Sequence, residues 1–239
     1  MLESHLRGKF FLYISFALLL IVLLGFSPTF YLRAFFDVPA IPLYVYAHGA
    51  ALTAWFIWFC VQTIAVNRGR VDLHRRLGAI GITIGILVLL SGAAAALGLA
   101  PRLLQKYGNI DADLPRIAGV VWGNIGMLVT FTGLVIAAVL NRQRAEIHKR
   151  LMLLASIAIS LPAFGRIAKF SIVDVPEGPF AFAGLLLMLM TLAIFDKIDS
   201  GSVLRVTVVG GSAMLAILII FGFAISTSTF GRTFVLALT

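Results

Sequence analysis

Few polar side chains interrupt the apolar stretches of this chain, and three of them have the chemistry of a binding site. His48, Asn124 and Arg166 fall at similar distances from one end of the stretches that contain them. An imidazole, an amide and a guanidinium can bind the polar group of a ligand, and such residues within a membrane commonly mark functional sites. The pattern predicts a cavity that opens outward between three helices. The alternative is hydrogen bonding between helices, with the arginine extending to the membrane surface.

The stretch that contains His48 presents further candidates at helical spacing. Trp55 and Gln62 follow His48, with Leu52 and Phe59 between them, at intervals of four, three, four and three residues. Residues at these intervals lie on one face of a helix. A polar side chain near each end, with aromatic rings between, predicts that this face points into the bundle. Trp55 and Gln62 therefore join the predicted ligand pocket.

Two histidines stand in matching segments, VDLHRRLG around His74 and AEIHKRLM around His148. Two imidazoles that face one another can hold a haem iron from both sides, or bind a divalent metal together with carboxylates. Asp72 and Glu146, two residues before each histidine, could instead orient the ring nitrogens. The structural alternative assigns Asp72 to a helix N-cap and Glu146 to a favourable first turn. One b-type haem, another metal and a purely structural role stay open.

No signature of an enzyme appears in the sequence. It has no glycine-rich phosphate loop, no HExxH or GxSxG motif, and no pair of carboxylates inside an apolar stretch. The single cysteine, Cys60, excludes a disulfide within the chain and a metal site of several thiolates. These absences favour a protein without catalytic residues.

The elements that must position these residues are membrane helices. Apolar residues make up 61% of the chain, charged residues make up 12%, and the mean hydropathy is +1.04. A soluble protein has about 45–50% apolar and about 25% charged residues, so the excess apolar surface must face lipid. The sequence predicts a single all-α domain, 1–239, an integral membrane bundle of about seven transmembrane helices. The helices cover about 10–31, 43–66, 77–100, 117–140, 151–170, 179–195 and 203–226.

Six crossings remain an alternative, because the sixth stretch is short and the fifth is the most polar. The formal charge of +9 comes from short basic runs between the stretches, such as NRGRVDLHRR and NRQRAEIHKR. Such runs are typical of cytoplasmic loops rather than of a nucleic-acid-binding surface. With the amino terminus in the cytoplasm, twelve of the 19 Lys and Arg residues fall on the cytoplasmic side. Seven crossings then place the carboxyl terminus outside, and the expected location is the inner membrane of a bacterium.

The matching histidine segments also predict an internal repeat. Each segment enters the second helix of a hairpin, so 43–100 and 117–170 are expected to form a duplicated core of parallel topology. Repeats of this kind are a common plan in membrane proteins.

The segments HGAALTAWFIWF, LHRRLG and HKRLMLL together resemble a family of uncharacterised bacterial multispanning membrane proteins. The resemblance covers about 10–170 and implies a multispanning fold, but it carries no established activity. A looser similarity exists to membrane b-type cytochromes, which also place histidines at helix ends beside basic residues. That similarity implies at most one haem, held by His74 and His148.

Three functions follow as hypotheses. The first is a non-enzymatic protein with a small-molecule or lipid pocket, acting as a sensor, an accessory subunit or a carrier. The second is an electron-transfer protein with one b-type haem. The third is a structural or assembly subunit of a membrane complex. The expected partners are membrane lipids and other membrane subunits, and nucleic acid is not among them.

Overall fold

A computed structural model describes the backbone of residues 2–239 and the side chains from Lys9 onward. Arg7, one of the twelve basic residues assigned to the cytoplasmic side, therefore has its side chain outside the described part. The described residues form helices and connecting turns, without a strand. Short irregular turns follow the first helix at Ser27–Tyr31 and Arg33–Phe35, and a π-helical turn, Ile220–Ile225, extends the eighth. The helices are α1 (Leu2–Gly25), α2 (Leu43–Asn67), α3 (Val71–Leu97), α4 (Leu99–Tyr107), α5 (Leu114–Leu140), α6 (Ala145–Ile167), α7 (Glu177–Ser200), α8 (Arg205–Ile219) and α9 (Thr229–Ala237).

Six helical segments of the described chain are long and apolar enough to cross a membrane, and the apolar part of α1, Lys9–Gly25, is a shorter seventh. An apolar helix of about 20 residues spans the hydrocarbon layer. The predicted all-α membrane bundle is therefore confirmed. The fifth and sixth predicted stretches, which left six crossings open, correspond to the full-length helices α6 and α7.

Five of the helices form a closed ring around a common interior. Neighbours pack in the order α1, α2, α3, α5 and α6, and α6 packs back against α1. The two expected hairpins, α2–α3 and α5–α6, are present and meet through α3 and α5. That they arose as a repeat stays a prediction. We call the end of the ring where α1, α3 and α6 finish the outer end, which the basic residues predict to face away from the cytoplasm, and the opposite end the inner end.

Helix α6 is the hub of the bundle. It contacts α1, α5, α7 and α8, and two thirds of its most apolar window (67%) is buried. A helix whose every face meets protein needs no amphipathic pattern. Because neighbouring helices surround α6, its small residues on several faces, Ala155, Ser156, Ala158 and Ser160, are all inaccessible.

Two short helices that the apolar pattern did not predict lie at the outer end. Helix α4 continues α3 after Gly98, and α9 packs on the first turns of α5. The indole Nε1 of Trp122 donates to the carbonyl of Gly231 at 3.0 Å, and its ring contacts Phe230 and Phe234. A second, smaller hydrophobic cluster is built around this contact.

The starts of α3 and α6 differ from the predicted ones. Helix α3 begins at Val71 and α6 at Ala145, so both apolar helices have a polar first turn that hydropathy alone does not include. Asp72 is not the N-cap, because Arg70 occupies that position and Asp72 lies in the first turn, as Glu146 does in α6. Carboxylates in a first turn are favoured by the helix dipole.

Candidate functional site

A cavity of about 280 Å³ occupies the outer half of the ring interior, and we call it the outer cavity. Residues from the end of α1, the following turn, and helices α2, α3, α4, α5 and α6 line it. Three of the predicted site residues, His48, Asn124 and Arg166, are among them. The structure thus brings these three side chains to one space, although 118 residues separate His48 from Arg166 in the sequence.

His48 lies near the start of α2 and faces α3. Its Nδ1 is 3.2 Å from the hydroxyl of Ser91, which donates its own proton to the carbonyl of Leu87 at 2.6 Å. With that proton directed at Leu87, Nδ1 of His48 is the donor to Ser91, and Nε2 of the neutral ring carries the lone pair. A side chain at Gly92 would come within 2.7 Å of the Leu128 side chain and within 3.2 Å of the imidazole carbon Cε1, so glycine at this position leaves room for both side chains.

Arg166 lies in the last turn of α6, one turn after Pro162, which also lines the cavity. Its guanidinium carbon is 4.4 Å from the centre of the Phe26 ring, a cation–π contact. Its Nε is buried and has no hydrogen-bond partner in the described chain. Glu177 acts on it electrostatically, but that carboxylate is held by Lys169 at 2.8 Å.

Three further polar side chains reach the outer cavity. The amide of Asn124 makes no hydrogen bond to any side chain or backbone group that the structure describes, and the hydroxyl of Thr29 is buried without a partner. Arg102, from α4, donates weakly to the Tyr44 hydroxyl at 3.5 Å. Sequence reasoning missed Thr29 and Arg102, since both lie in segments outside the predicted spans or at their edges.

Trp55 and Gln62, predicted for the same pocket, do not line it. Trp55 is 2% exposed and crosses the ring interior, where its Nε1 donates to the Ser156 hydroxyl at 3.1 Å. Its ring packs edge-on against Phe131 with centres 4.7 Å apart. The pair closes the interior one turn below Leu52, which does line the cavity. Gln62 lies two turns further inward, with its Oε1 buried and unpartnered.

The two remaining candidates, His74 and His148, meet at the inner end. Each is the fourth residue of its helix, and their ring centres are 6.0 Å apart with planes at 77°. Nδ1 of His148 donates to the carbonyl of Ala138 at 2.8 Å, whereas Nδ1 of His74 is buried without a partner. The described residues contain no group of three or more His, Cys, Asp or Glu side chains that could hold a metal.

The inner end also contains a charged cluster that the sequence did not reveal. Arg150 and Asp196 are both fully inaccessible, with Nε donating to Oδ1 at 2.8 Å. Asp196 also accepts from the Thr207 hydroxyl at 2.5 Å and from the backbone of Leu204, and Arg150 contacts Glu146 at 2.5 Å. Arg150 was predicted to be one of the residues that orient the chain at the membrane surface. Its side chain instead joins α6 to α7 and α8 inside the protein.

No family model, no curated protein and no solved structure matches this chain. The resemblance to a bacterial multispanning family therefore stays a prediction, and a functional assignment must rest on geometry. The geometry of the outer cavity is distinctive: its lining within the described chain includes two arginines, Arg102 and Arg166, and no acidic residue.

Proposed function

We propose that this protein binds a small amphipathic anion in the outer cavity and serves as a receptor or carrier for it. The observation that supports this is the Nε of Arg166, which is buried beside the cavity and unpartnered within the described chain. A charged donor without a partner in an apolar environment costs free energy. An anionic group in the cavity would offset that cost through charge-assisted hydrogen bonds.

The other polar groups fit the head of such a ligand. Arg102 adds a second positive charge, and the lining residues of the described chain supply no carboxylate that would repel an anion. The Asn124 amide and the Thr29 hydroxyl can donate further hydrogen bonds, and Nε2 of His48 can accept one. A carboxylic or phosphoric acid head group can use all of these partners.

The rest of the lining fits an apolar tail. The nonpolar wall around the polar groups includes Phe26, Phe30, Leu52, Met127 and Ile159. The cavity volume of about 280 Å³ lies near the lower end of the ~300–1,000 Å³ typical of small-molecule pockets. This volume favours a short-chain or medium-chain acid over a whole phospholipid.

The distribution of basic residues supports an orientation with this cavity on the non-cytoplasmic side of the membrane. A bacterial inner membrane is the location that the resemblance to a bacterial family implies. An assembly subunit gains nothing from a buried Nε of Arg166 that lacks a hydrogen-bond partner within the described chain, and a haem protein would place its ligand at the inner histidines. The outer cavity therefore favours ligand binding over both alternatives.

The test is a thermal-shift series on detergent-purified protein with straight-chain carboxylates, alkyl phosphates and alcohols of about six to about twelve carbons. We expect the acids to stabilise the protein, with affinity rising by about 0.8 kcal/mol for each buried methylene until the cavity is full. At a concentration about 100 times the Kd, stabilisation should reach about 2.7 kcal/mol. Alcohols of equal length should have little effect.

The matched variants are Arg166→Gln and Arg116→Gln, since both arginines belong to the outer half but Arg116 is exposed and does not line the cavity. We expect Arg166→Gln to abolish the stabilisation by acids and Arg116→Gln to leave it intact. Equal stabilisation by acids and alcohols, or equal binding to both variants, would overturn the proposal.

A further inference from the structure

The inner end of the ring holds a second arrangement whose chemistry does not depend on the outer cavity. Its starting point is the contact between His74 and His148, with ring centres 6.0 Å apart. Imidazole nitrogens bind a metal at about 2.0–2.1 Å. Ring centres about 6 Å apart are therefore close enough for one nitrogen of each ring to bind the same ion, once the two rings, whose planes lie at 77°, turn those nitrogens toward it.

The hydrogen bonds of His148 prepare it as a ligand. Its Nδ1 lies 2.8 Å from the Ala138 carbonyl, which can only accept, so this nitrogen carries the proton. In the neutral ring, this arrangement leaves the lone pair on Nε2, which is then the nitrogen that can bind a metal. Metal-binding histidines commonly have their second nitrogen fixed by a backbone carbonyl in this way, which sets both tautomer and ring orientation.

His74 lacks the partner that a buried imidazole needs. Its Nδ1 is inaccessible and makes no hydrogen bond within the described chain. A buried polar nitrogen left unpaired costs about 1–3 kcal/mol. A metal ion bound at Nδ1 would remove that cost.

The number of ligands and the local charge select the ion. No third His, Cys, Asp or Glu of the described residues joins these two, whereas zinc in proteins normally takes four ligands. The nearby Arg75 is positively charged and repels cations, an effect that is half as large for a monovalent ion as for a divalent one. Copper(I) is monovalent and can be held by only two ligands, and imidazole is a suitable ligand for copper.

We propose that His74 and His148 bind one copper(I) ion between their imidazole rings. The site lies inside the ring of helices at its inner end, and each ligand is supplied by the first turn of a helix. This proposal is independent of ligand binding in the outer cavity, which shares no residue with it.

The experiment titrates purified protein with copper(I) under anaerobic conditions against a chromogenic chelator such as bicinchoninate. We compare His74→Gln and His148→Gln with His48→Gln, all in a background in which His5, whose side chain lies outside the described residues, is alanine. The unaltered inner pair should bind one copper(I) for each chain. Losing a partner that only orients a metal ligand lowers metal affinity by about 10–100-fold. We expect His74→Gln and His148→Gln each to lower the copper(I) affinity by more than that, and His48→Gln to leave the copper(I) affinity unchanged.

X-ray absorption of the copper-loaded protein supplies a second measurement that needs no variant. We expect two nitrogen neighbours and no sulfur. Sulfur neighbours, a metal content unaffected by both inner variants, or no competition with the chelator would each overturn the proposal. A haem absorption band in the purified protein that disappears in both inner variants would also overturn it, because a haem iron would then occupy the histidines.

Discussion

The two ends of the helical ring differ in whether an enclosed arginine has a carboxylate partner. At the inner end, Arg150 is completely buried, yet its guanidinium meets Asp196 and Glu146. At the outer end, Arg166 is largely enclosed, yet its Nε has no partner in the described chain, and the Asn124 amide beside the same cavity has none either. Both arginines lie on α6, so the identity of the helix does not explain the difference; Arg150 has a carboxylate one turn before it, Glu146, and a second on α7, Asp196.

The contrast separates structure from binding. A buried charge that is ion-paired with carboxylates, as Arg150 is, holds elements together even though its Nη2 makes no hydrogen bond within the described chain, since removing either partner leaves the other uncompensated. A charge that has no carboxylate partner among the described residues and lies beside an open volume, as Arg166 does, is what the proposed binding of an external anion requires. Four substitutions test this contrast, and they are ordered here by their expected effect on stability.

Arg150→Ala should have the largest effect. It would leave the carboxylate of Asp196 buried with only the Thr207 hydroxyl and the Leu204 backbone as partners. Removing one member of a buried pair costs about 3–5 kcal/mol. The free energy of unfolding in detergent measures this, and replacing both partners with apolar residues (Arg150→Met with Asp196→Leu) should recover much of the loss. A single variant as stable as the parent would show that the cluster does not join the helices.

Gly25→Ala should rank second and tests whether the outer end is loosely packed. A side chain at Gly25 would collide with the backbone carbonyl of Ala163, where α1 crosses α6 beside the cavity. Overpacking of this kind costs about 1–3 kcal/mol. The matched control is Gly78→Ala, where a methyl group meets open space and higher helix propensity should stabilise by up to about 1 kcal/mol. Thermal unfolding of both variants compares them, and equal effects would mean that the cavity wall is not tightly packed.

Trp55→Phe should cost about 1–2 kcal/mol, because it removes the hydrogen bond to Ser156 and part of a buried ring. Trp55 does not line the outer cavity, so the affinity for an acidic ligand should stay within about twofold of the parent, well under 1.4 kcal/mol. Unfolding and ligand titration on the same preparation check the two parts. Lost binding with unchanged stability would return Trp55 to the ligand site.

Arg166→Met should have the smallest effect on the protein without ligand, within about 1 kcal/mol of the parent. The variant loses a cation–π contact with Phe26 but also removes a buried donor that has no partner. Ligand-free unfolding measures this balance. A loss as large as that of Arg150→Ala would place Arg166 among the structural charges and remove the contrast between the two ends.

The sequence predicted the membrane helices because apolar length is a local property that needs no knowledge of neighbours. It also selected His48, Asn124 and Arg166, because a polar residue inside an apolar run stands out in any fold. The matching segments around His74 and His148 predicted equal positions in two helices, and both residues are the fourth of their helix.

Only the tertiary structure decided which polar residues are paired. Trp55 shares a helical face with His48, but its indole donates a hydrogen bond to Ser156 on α6 and lies on the inner side of the cavity. Arg150 reads as a surface residue because its partner Asp196 is 46 positions away and is brought to it by the packing of α7 on α6. Thr29 and Arg102 reach the cavity from connecting segments that hydropathy does not position. Residue type and spacing determine which side chains are unusual, whereas pairing depends on distances that exist only after the helices have packed.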